Sequence, residues 1–444
     1  MPLPNERFRL FPRGLKPSHR ILIMPLGLYI SVPFCRTKCS YCNFASDVFS
    51  KSAYENYVAR LVEEIANAPQ LAAELGCTFD ATADSIYLGG GTPSILNSSQ
   101  LLRVFTAVRD QFAVTSDAEV AVECAPGTLT PACIDTLLQC GVNRVSLGVQ
   151  SFIDQEAQSV GRLHNRSTVL EEIARLRASG IQNINIDLIA GLPHQTPQSW
   201  EFSVAETIAT GVPHVSVYML EVDDDSRLGR ELIAGGARYH AHFVPDDDAT
   251  ADFYQQACAT LAANGIIQYE ISNFARTNSR LERNGSSNGN ESRHNLKYWT
   301  RQPYLGFGVD AHSMLPMPPH SSENIDLRQA VRFANPDSLD AYMNRVPHSV
   351  TPVSTEAAIE ESFFLGLRLN RGIDLARLQK QIGSWAERAD PWDSAIRQCI
   401  QEGLIEQEGS RIRLTARGRL LSNEVFARFL IQETGAKSRV AASN

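Results

Sequence analysis

The chain is predicted to fold as an α/β protein: an incomplete barrel of six β/α units, followed by a mostly helical, winged-helix-like end domain. Three observations predict this. Short apolar, β-branched runs recur six times, each followed by apolar residues at helical spacing. Strands that alternate with helices build right-handed βαβ units and a parallel sheet, and six units rather than eight leave a barrel open on one side. The residues with chemical potential fall just past strand C-terminal ends, where parallel α/β folds place their sites.

The first strand is predicted over 28–32 and is ended by Pro33. The apolar spacing of Tyr54, Val58, Leu61, Val62 and Ile65 predicts the first helix. Strand 85–88 runs into Gly89-Gly90-Gly91-Thr92, followed by helix 101–112, strand 119–123 and helix 131–139. Strand 144–148, helix 168–178, strand 183–189, helix 199–209, strand 214–218 and helix 249–263 complete the six units. The order implies five segments: a basic extension (1–23), a core (24–275), a polar loop (276–293), a connection (294–350) and a C-terminal domain (351–444). In that last domain a helix, a short β-hairpin around 411–418 and a further helix read as a winged helix. Arg411, Arg413, Arg417 and Arg419 leave two readings open, a packing appendage or a DNA reader.

Past the first strand, Cys35, Cys39 and Cys42 stand as C-x3-C-x2-C in a loop. Competing readings are a chance cluster or a zinc loop, but zinc sites pair such cysteines with a second pair or histidines, and none follows here. Three close thiolates without a fourth suit a cubane iron–sulfur cluster with one iron left open, whereas most clusters take four cysteines.

A net charge of −8 argues against a general nucleic-acid surface. Six of the nine cysteines are scattered singly, which is no disulfide framework and points to a reducing cytoplasm. No apolar run approaches the roughly 18 residues of a membrane span. Residues 1–23 carry five basic side chains against Glu6 and lack a secretory signal's apolar core, so Met24 is expected to be the true start.

The three-cysteine loop at a strand end resembles the cluster loop of radical S-adenosylmethionine (SAM) enzymes. In that family SAM chelates the open iron of a [4Fe-4S] cluster through its amino and carboxylate groups. The runs Val122-Glu123, Gly148-Val-Gln150-Ser-Phe152, Gly161-Arg-Leu-His164 and Asn185-Ile-Asp-Leu-Ile189 resemble, in register, the oxygen-independent coproporphyrinogen III dehydrogenases and their relatives, the HemW heme chaperones. The resemblance implies a radical SAM barrel with a HemN-type end domain. It implies SAM contacts at Tyr29, Tyr41, Gly90, Gly91, Thr92, Glu123, Gln150, Arg162 and Asp187. Carboxylates at Glu123 and Asp187 can accept ribose hydroxyls or balance the sulfonium, and Arg162 can hold a carboxylate bidentately.

Two departures favour the chaperone branch. The dehydrogenases carry a fourth cysteine where Phe44 stands here, and a longer segment before the first strand. Tyr269-Glu-Ile-Ser-Asn-Phe274, His294-Asn-Leu-Lys-Tyr-Trp299 and Tyr304-Leu-Gly-Phe-Gly308 are HemW-like, with Val309-Asp310 where the family has Pro-Gly. On composition alone His294 reads as a structural histidine. The resemblance instead implies heme binding by His294, Asn295, Tyr298 and Trp299, since imidazole ligates heme iron and the two rings offer flat apolar surface. The expectation is therefore a cytoplasmic protein with three cofactors, a [4Fe-4S] cluster, SAM and heme, that hands heme to an acceptor protein of the respiratory apparatus. It is expected to bind no nucleic acid and to have no transmembrane segment. The rivals are a coproporphyrinogen dehydrogenase and a SAM radical enzyme with a substrate unrelated to tetrapyrroles.

Overall fold

A computed structural model describes residues 24–277, 289–318, 329–382, 385 and 390–430. The expectations for the 1–23 extension, and for the polar loop over 278–288, lie outside the described residues. Six parallel strands form the centre: β1 (Leu26–Val32), β2 (Thr82–Gly90), β3 (Ala113–Cys124), β4 (Arg144–Gln150), β5 (Asn183–Ala190) and β6 (His214–Met219). Beside β6 lie β7 (Ile266–Gln268) and β8 (Asn273–Arg276), both antiparallel to their neighbours. Beside β1 lie β9 (Tyr304–Phe307), β10 (His312–Pro316), β11 (Ala330–Ala334) and β12 (Ser349–Val353). The order β12-β11-β10-β9-β1-β2-β3-β4-β5-β6-β8-β7 leaves two edges, so the barrel is open as expected.

Two differences from the sequence reading have physical causes. Strand β3 begins six residues earlier than expected, because its first half is exposed and polar around Ser116 and Asp117 and carries no apolar signal. The stretch expected to be a connection supplies β9 to β12, with β9 running parallel to β1. These strands are only four or five residues long, too short for alternation to declare itself.

The central strands alternate strictly. Leu28, Ile30, Val32, Ile86, Leu88, Val122, Leu147, Ile186 and Val217 are buried in one core with helix residues such as Tyr57, Leu61, Val104, Leu137, Ile173 and Trp200. The intervening positions, Tyr29, Ser31, Ser85, Tyr87, Glu123, Ser146, Asn185, Asp187, Ser216 and Tyr218, are polar and share the other face, because side chains in a strand point alternately to the two sides. That face is concave. Ser40, in the loop after β1, bonds to the Val160 carbonyl after β4 (3.1 Å) and to the Leu228 N–H after β6 (2.8 Å), so three strand ends converge on one residue.

The opposite end of the cup is floored by the helix Arg293–Trp299. Lys297 is 1% exposed there, with its Nζ 2.7 Å from Asp84 Oδ1 and 2.7 Å from the Pro25 carbonyl. The end domain has a separate core around Phe363, Trp392, Ile412 and Phe429, with the antiparallel strands β13 (Ile373–Asp374), β14 (Ile405–Glu408) and β15 (Arg411–Leu414). Arg413 pairs with Glu406, and Arg411, Arg417 and Arg419 donate to the carbonyls of Arg371, Glu402 and Leu414. These side chains serve packing within the domain.

Removing one partner of a buried ion pair leaves the other charge uncompensated. Lys297→Met is expected to lower stability by about 3 kcal/mol, with Asp84→Asn in the same chain restoring part of it. Urea unfolding checks this, and a midpoint equal to wild type would mean that the floor does not depend on this pair.

Candidate cluster and cofactor site

The cysteine loop is anchored before it is functional. Phe34 is fully buried, stacked on Tyr54 at 4.1 Å and edge-on to Tyr57 at 5.1 Å. The N–H groups of Gly91 and Thr92 donate to the carbonyls of Val32 (2.9 Å) and Phe34 (2.8 Å), tying the glycine loop after β2 to the root of the cysteine loop. A Cβ at Gly91 would come within 2.7 Å of the Phe34 carbonyl oxygen, so no side chain fits there. Thr37 Oγ1 donates to the Gly161 carbonyl (3.0 Å), and Cys42 N–H to the Cys39 carbonyl (3.3 Å).

All nine cysteines are free thiols. Burial pushes the thiols of Cys35 and Cys42 up, and nearness to Cys39 adds to it; Thr92 Oγ1, 3.8 Å from Cys35 Sγ, works against the rise. Three thiolates therefore need added positive charge. Arg162 supplies part of it, with Nη1 3.5 Å from Cys39 Sγ. Among the described residues, no three Cys, His, Asp or Glu side chains are gathered to hold a single metal ion. In a cluster each iron takes its own thiolate, so its ligands stand farther apart than those of one zinc. The donor set of three soft thiols fits a cubane with one open iron.

The polar face brings most of the expected cofactor residues to the mouth. A small cleft is lined by Tyr29, Ser31, Phe44, Gly90, Val309 and Asp310. Tyr87 donates to Glu123 Oε1 at 2.8 Å. Burial, with the Asp187 carboxylate adding to it, pushes Glu123 up to about 7, against the hydrogen bonds from Tyr87 and the Gly90 backbone. Burial also raises Asp187, although Ser146 (2.9 Å) and Asn185 (2.7 Å) donate to it. Arg162 Nη2 donates to the Gly148 carbonyl, where a Cβ would lie 2.6 Å from that nitrogen. Gln150 holds left-handed backbone (φ 71°), and its buried Oε1 and the Arg162 Nε both lack a partner. Each such buried polar atom calls for an explanation, and a ligand held at this place would supply one. Gly91 and Thr92 act through backbone on the loop root, while Tyr41 packs on Val160, Ile189 and Leu192.

The heme motif behaves differently. His294 is 1% exposed on the floor of the cup, with Nδ1 3.1 Å from Ser85 Oγ and Nε2 2.8 Å from Tyr298 OH. Burial, with Lys297 adding to it, pushes it down to about 3. Asn295 lies in the first turn, where its N–H caps on Ser292, and the Trp299 ring is covered by Arg368 at 4.2 Å. In this arrangement both ring nitrogens of His294 lie within hydrogen-bond distance of a neighbour, Ser85 on one side and Tyr298 on the other. Two rim residues were missed. Asp310 takes φ 57°, the backbone a glycine would take there, and lines the cleft; Tyr218 presents its ring on the polar face of β6. Strand register would have found Tyr218.

Comparison with known proteins agrees with this architecture. Residues 29–205 match the Radical SAM superfamily and residues 353–421 the HemN C-terminal domain. The fold is similar to that of coproporphyrinogen III oxidase (HemN) from Escherichia coli, a radical SAM enzyme, with a TM-score of 0.74 at 24% identity over 91% of this chain and 90% of that one. The heme chaperone HemW of Bacillus subtilis is 32% identical, covering 90% of this chain and 98% of its own. That of Lactococcus lactis is 31% identical, covering 93% and 99%. With a three-thiol loop at the mouth of the cup and relatives matched over nearly their whole length, the chain belongs to the HemW family of the radical SAM superfamily.

Proposed function

We propose that this protein is a heme chaperone that holds a [4Fe-4S] cluster on Cys35, Cys39 and Cys42, binds SAM at the open iron and passes heme to an acceptor protein. The observation that carries the cofactor half is the loop itself: three buried or half-buried thiols, no fourth, and Arg162 beside Cys39. When bound, the cluster supplies one electron and an open iron for SAM. Gly90 and Gly91 let that ligand approach the backbone, and Tyr29 walls it on one side. Glu123 and Asp187 offer carboxylates to ribose hydroxyls or the sulfonium, while Gln150 and Arg162 turn unpartnered polar atoms toward the same place. The heme half is supported by the HemW relatives, whose name states that role for them. Nine free thiols fit a reducing, cytoplasmic setting.

The second reading, a coproporphyrinogen dehydrogenase, draws on the polar cup interior, where Tyr87, Glu123, Asp187 and Tyr218 face one space. Against it stands Phe44, 65% exposed beside the loop, where those enzymes carry their fourth cysteine. Anaerobic, reconstituted protein is expected to bind heme and release it to apo-acceptor without making protoporphyrinogen from coproporphyrinogen. Product in that assay would establish the enzyme instead.

Each of Cys35→Ser, Cys39→Ser and Cys42→Ser is expected to abolish the cluster's visible absorption and its iron content after reconstitution. Full iron retention in any one of them would remove that thiol from the ligand set.

Glu123 yields a pH test. Its folded value, about 7, lies above that of an exposed carboxylate, so the folded apo-protein binds the extra proton and loses stability as pH rises through the interval up to 7. A cationic sulfonium prefers the ionised carboxylate, so SAM is expected to bind more tightly at pH 8 than at pH 6, with proton release seen by calorimetry in different buffers. Glu123→Gln is expected to flatten both dependences; a variant that keeps the wild-type slope would take Glu123 out of the SAM site.

A further inference from the structure

A line of polar side chains crosses the interior of the cup, from the place proposed for SAM to the helix on the floor. Asp187 and Asn185 stand two residues apart on β5, and Asn185 Nδ2 donates to Asp187 Oδ1 at 2.7 Å. Asn185 Oδ1 lies 2.6 Å from Nδ1 of His214 at the start of β6, and His214 Nε2 lies 2.9 Å from the Tyr269 hydroxyl. That hydroxyl accepts the N–H of Ser292 at 3.1 Å. Ser292 Oγ in turn accepts the N–H of Asn295, capping the helix Arg293–Trp299. Four bonds of 2.6 to 3.1 Å thus join Asp187 to the residue on which the motif helix starts.

The line is sealed from water: Asn185, His214, Tyr269 and Ser292 are all buried. Burial, with Arg144 adding to it, pushes His214 well below its usual range. A neutral imidazole offers one N–H and one lone pair, which is what a link between an amide oxygen and a hydroxyl requires. Buried polar pairs can be replaced by apolar groups of the same shape at little cost, so stability alone does not account for a polar line of this length.

Its two ends have opposite demands. A sulfonium near Asp187 favours the ionised carboxylate, which accepts stronger hydrogen bonds than the neutral acid. Strengthening one end of a buried chain polarises the rest, and so holds Ser292 and the helix start more firmly. In the seated helix the ring nitrogens of His294 lie beside Ser85 and Tyr298, so iron on either nitrogen has to take that neighbour's place. A firmer seat therefore opposes iron.

We infer that His214 and Tyr269 are positioning residues that couple the two ligands: SAM beside Asp187 firms the seat of the helix Arg293–Trp299 and thereby weakens heme binding at His294. The inference rests on the proposed heme-chaperone reading with SAM in the cup. It adds an order of events, in which heme loads first and SAM favours its release to the acceptor.

Paired titrations of the full-length, anaerobically reconstituted protein test this, heme by its Soret band with and without saturating SAM, and SAM by calorimetry with and without heme. Wild type is expected to bind heme about 10-fold more weakly with SAM present, and SAM more weakly by the same factor with heme present, because coupling is reciprocal. Tyr269→Phe removes one hydroxyl from the line, and His214→Phe removes both ring nitrogens. Each is expected to bind either ligand alone, with the coupling reduced to below about 2-fold. Tyr342→Phe takes a buried hydroxyl from Glu64, outside the line, and is expected to keep the wild-type coupling. In heme-free protein, SAM is expected to slow amide hydrogen exchange over 292–299 in wild type and in Tyr342→Phe, but not in Tyr269→Phe. A wild-type heme affinity that SAM leaves unchanged or raises overturns the inference, as does full coupling retained in Tyr269→Phe; both results leave heme binding standing. Wild-type protein that takes up no heme overturns the chaperone reading itself.

Discussion

The close approach of two backbones at the mouth of the cup is the constraint on which the rest depends. Gly91 can sit where it does only because it has no Cβ, with the Phe34 carbonyl oxygen 2.7 Å from where one would be. That approach allows two backbone hydrogen bonds between the end of β2 and the root of the cysteine loop. Phe34, locked among Tyr54, Tyr57 and Phe49, then cannot rotate away. The loop leaves this fixed point and is caught again at Gly161 and at Leu228, so three thiols are held by the C-terminal ends of four strands before any metal arrives. Preorganisation of this kind lowers the ordering cost of ligating a cluster.

The β/α core was legible in the sequence because its signals are local: β-branched runs, helical spacing and glycine or proline punctuation. All six central strands overlap the segments where the pattern placed them, as do the main helices between them, although β3 starts earlier and short helices such as Arg227–Ala234 were not foreseen. The other half of the sheet was not legible. Strand β9 joins β1 across more than 270 residues, and no local pattern announces a four-residue strand whose partner is that distant. Alternation within the central strands was present, yet apolar runs drew attention away from it: Asn185, Asp187, Ser146 and Ser216 form one hydrogen-bonded network only when three strands are read in register.

The site was legible in the same unequal way. Cysteine spacing is a local property, so Cys35, Cys39 and Cys42 could be named at once. Glu123, Gln150, Arg162 and Asp187 emerged only through resemblance, since each alone is an ordinary polar residue after a strand. His294 sits in a conspicuous motif, but the helix carrying it closes the floor and sets its ring nitrogens beside Ser85 and Tyr298.

Charge gives the arrangement its direction. Near the mouth the inner face carries the carboxylates of Glu123 and Asp187, each pushed up by burial, with Asp187 adding to Glu123's reluctance to ionise. The one guanidinium near them, Arg162, is turned toward Cys39 and the Gly148 carbonyl rather than toward Glu123. A neutral occupant would leave Glu123 part-protonated near pH 7 and the interior undecided between two charge states. A cation set between the thiols and the carboxylates resolves both, drawing the acids to their ionised forms and lying against the sulfur side of the mouth. The polar face thus suits a positively charged ligand. The helix Arg227–Ala234 is bonded at its start to the cysteine loop, and its Glu231 clamps the turn that follows.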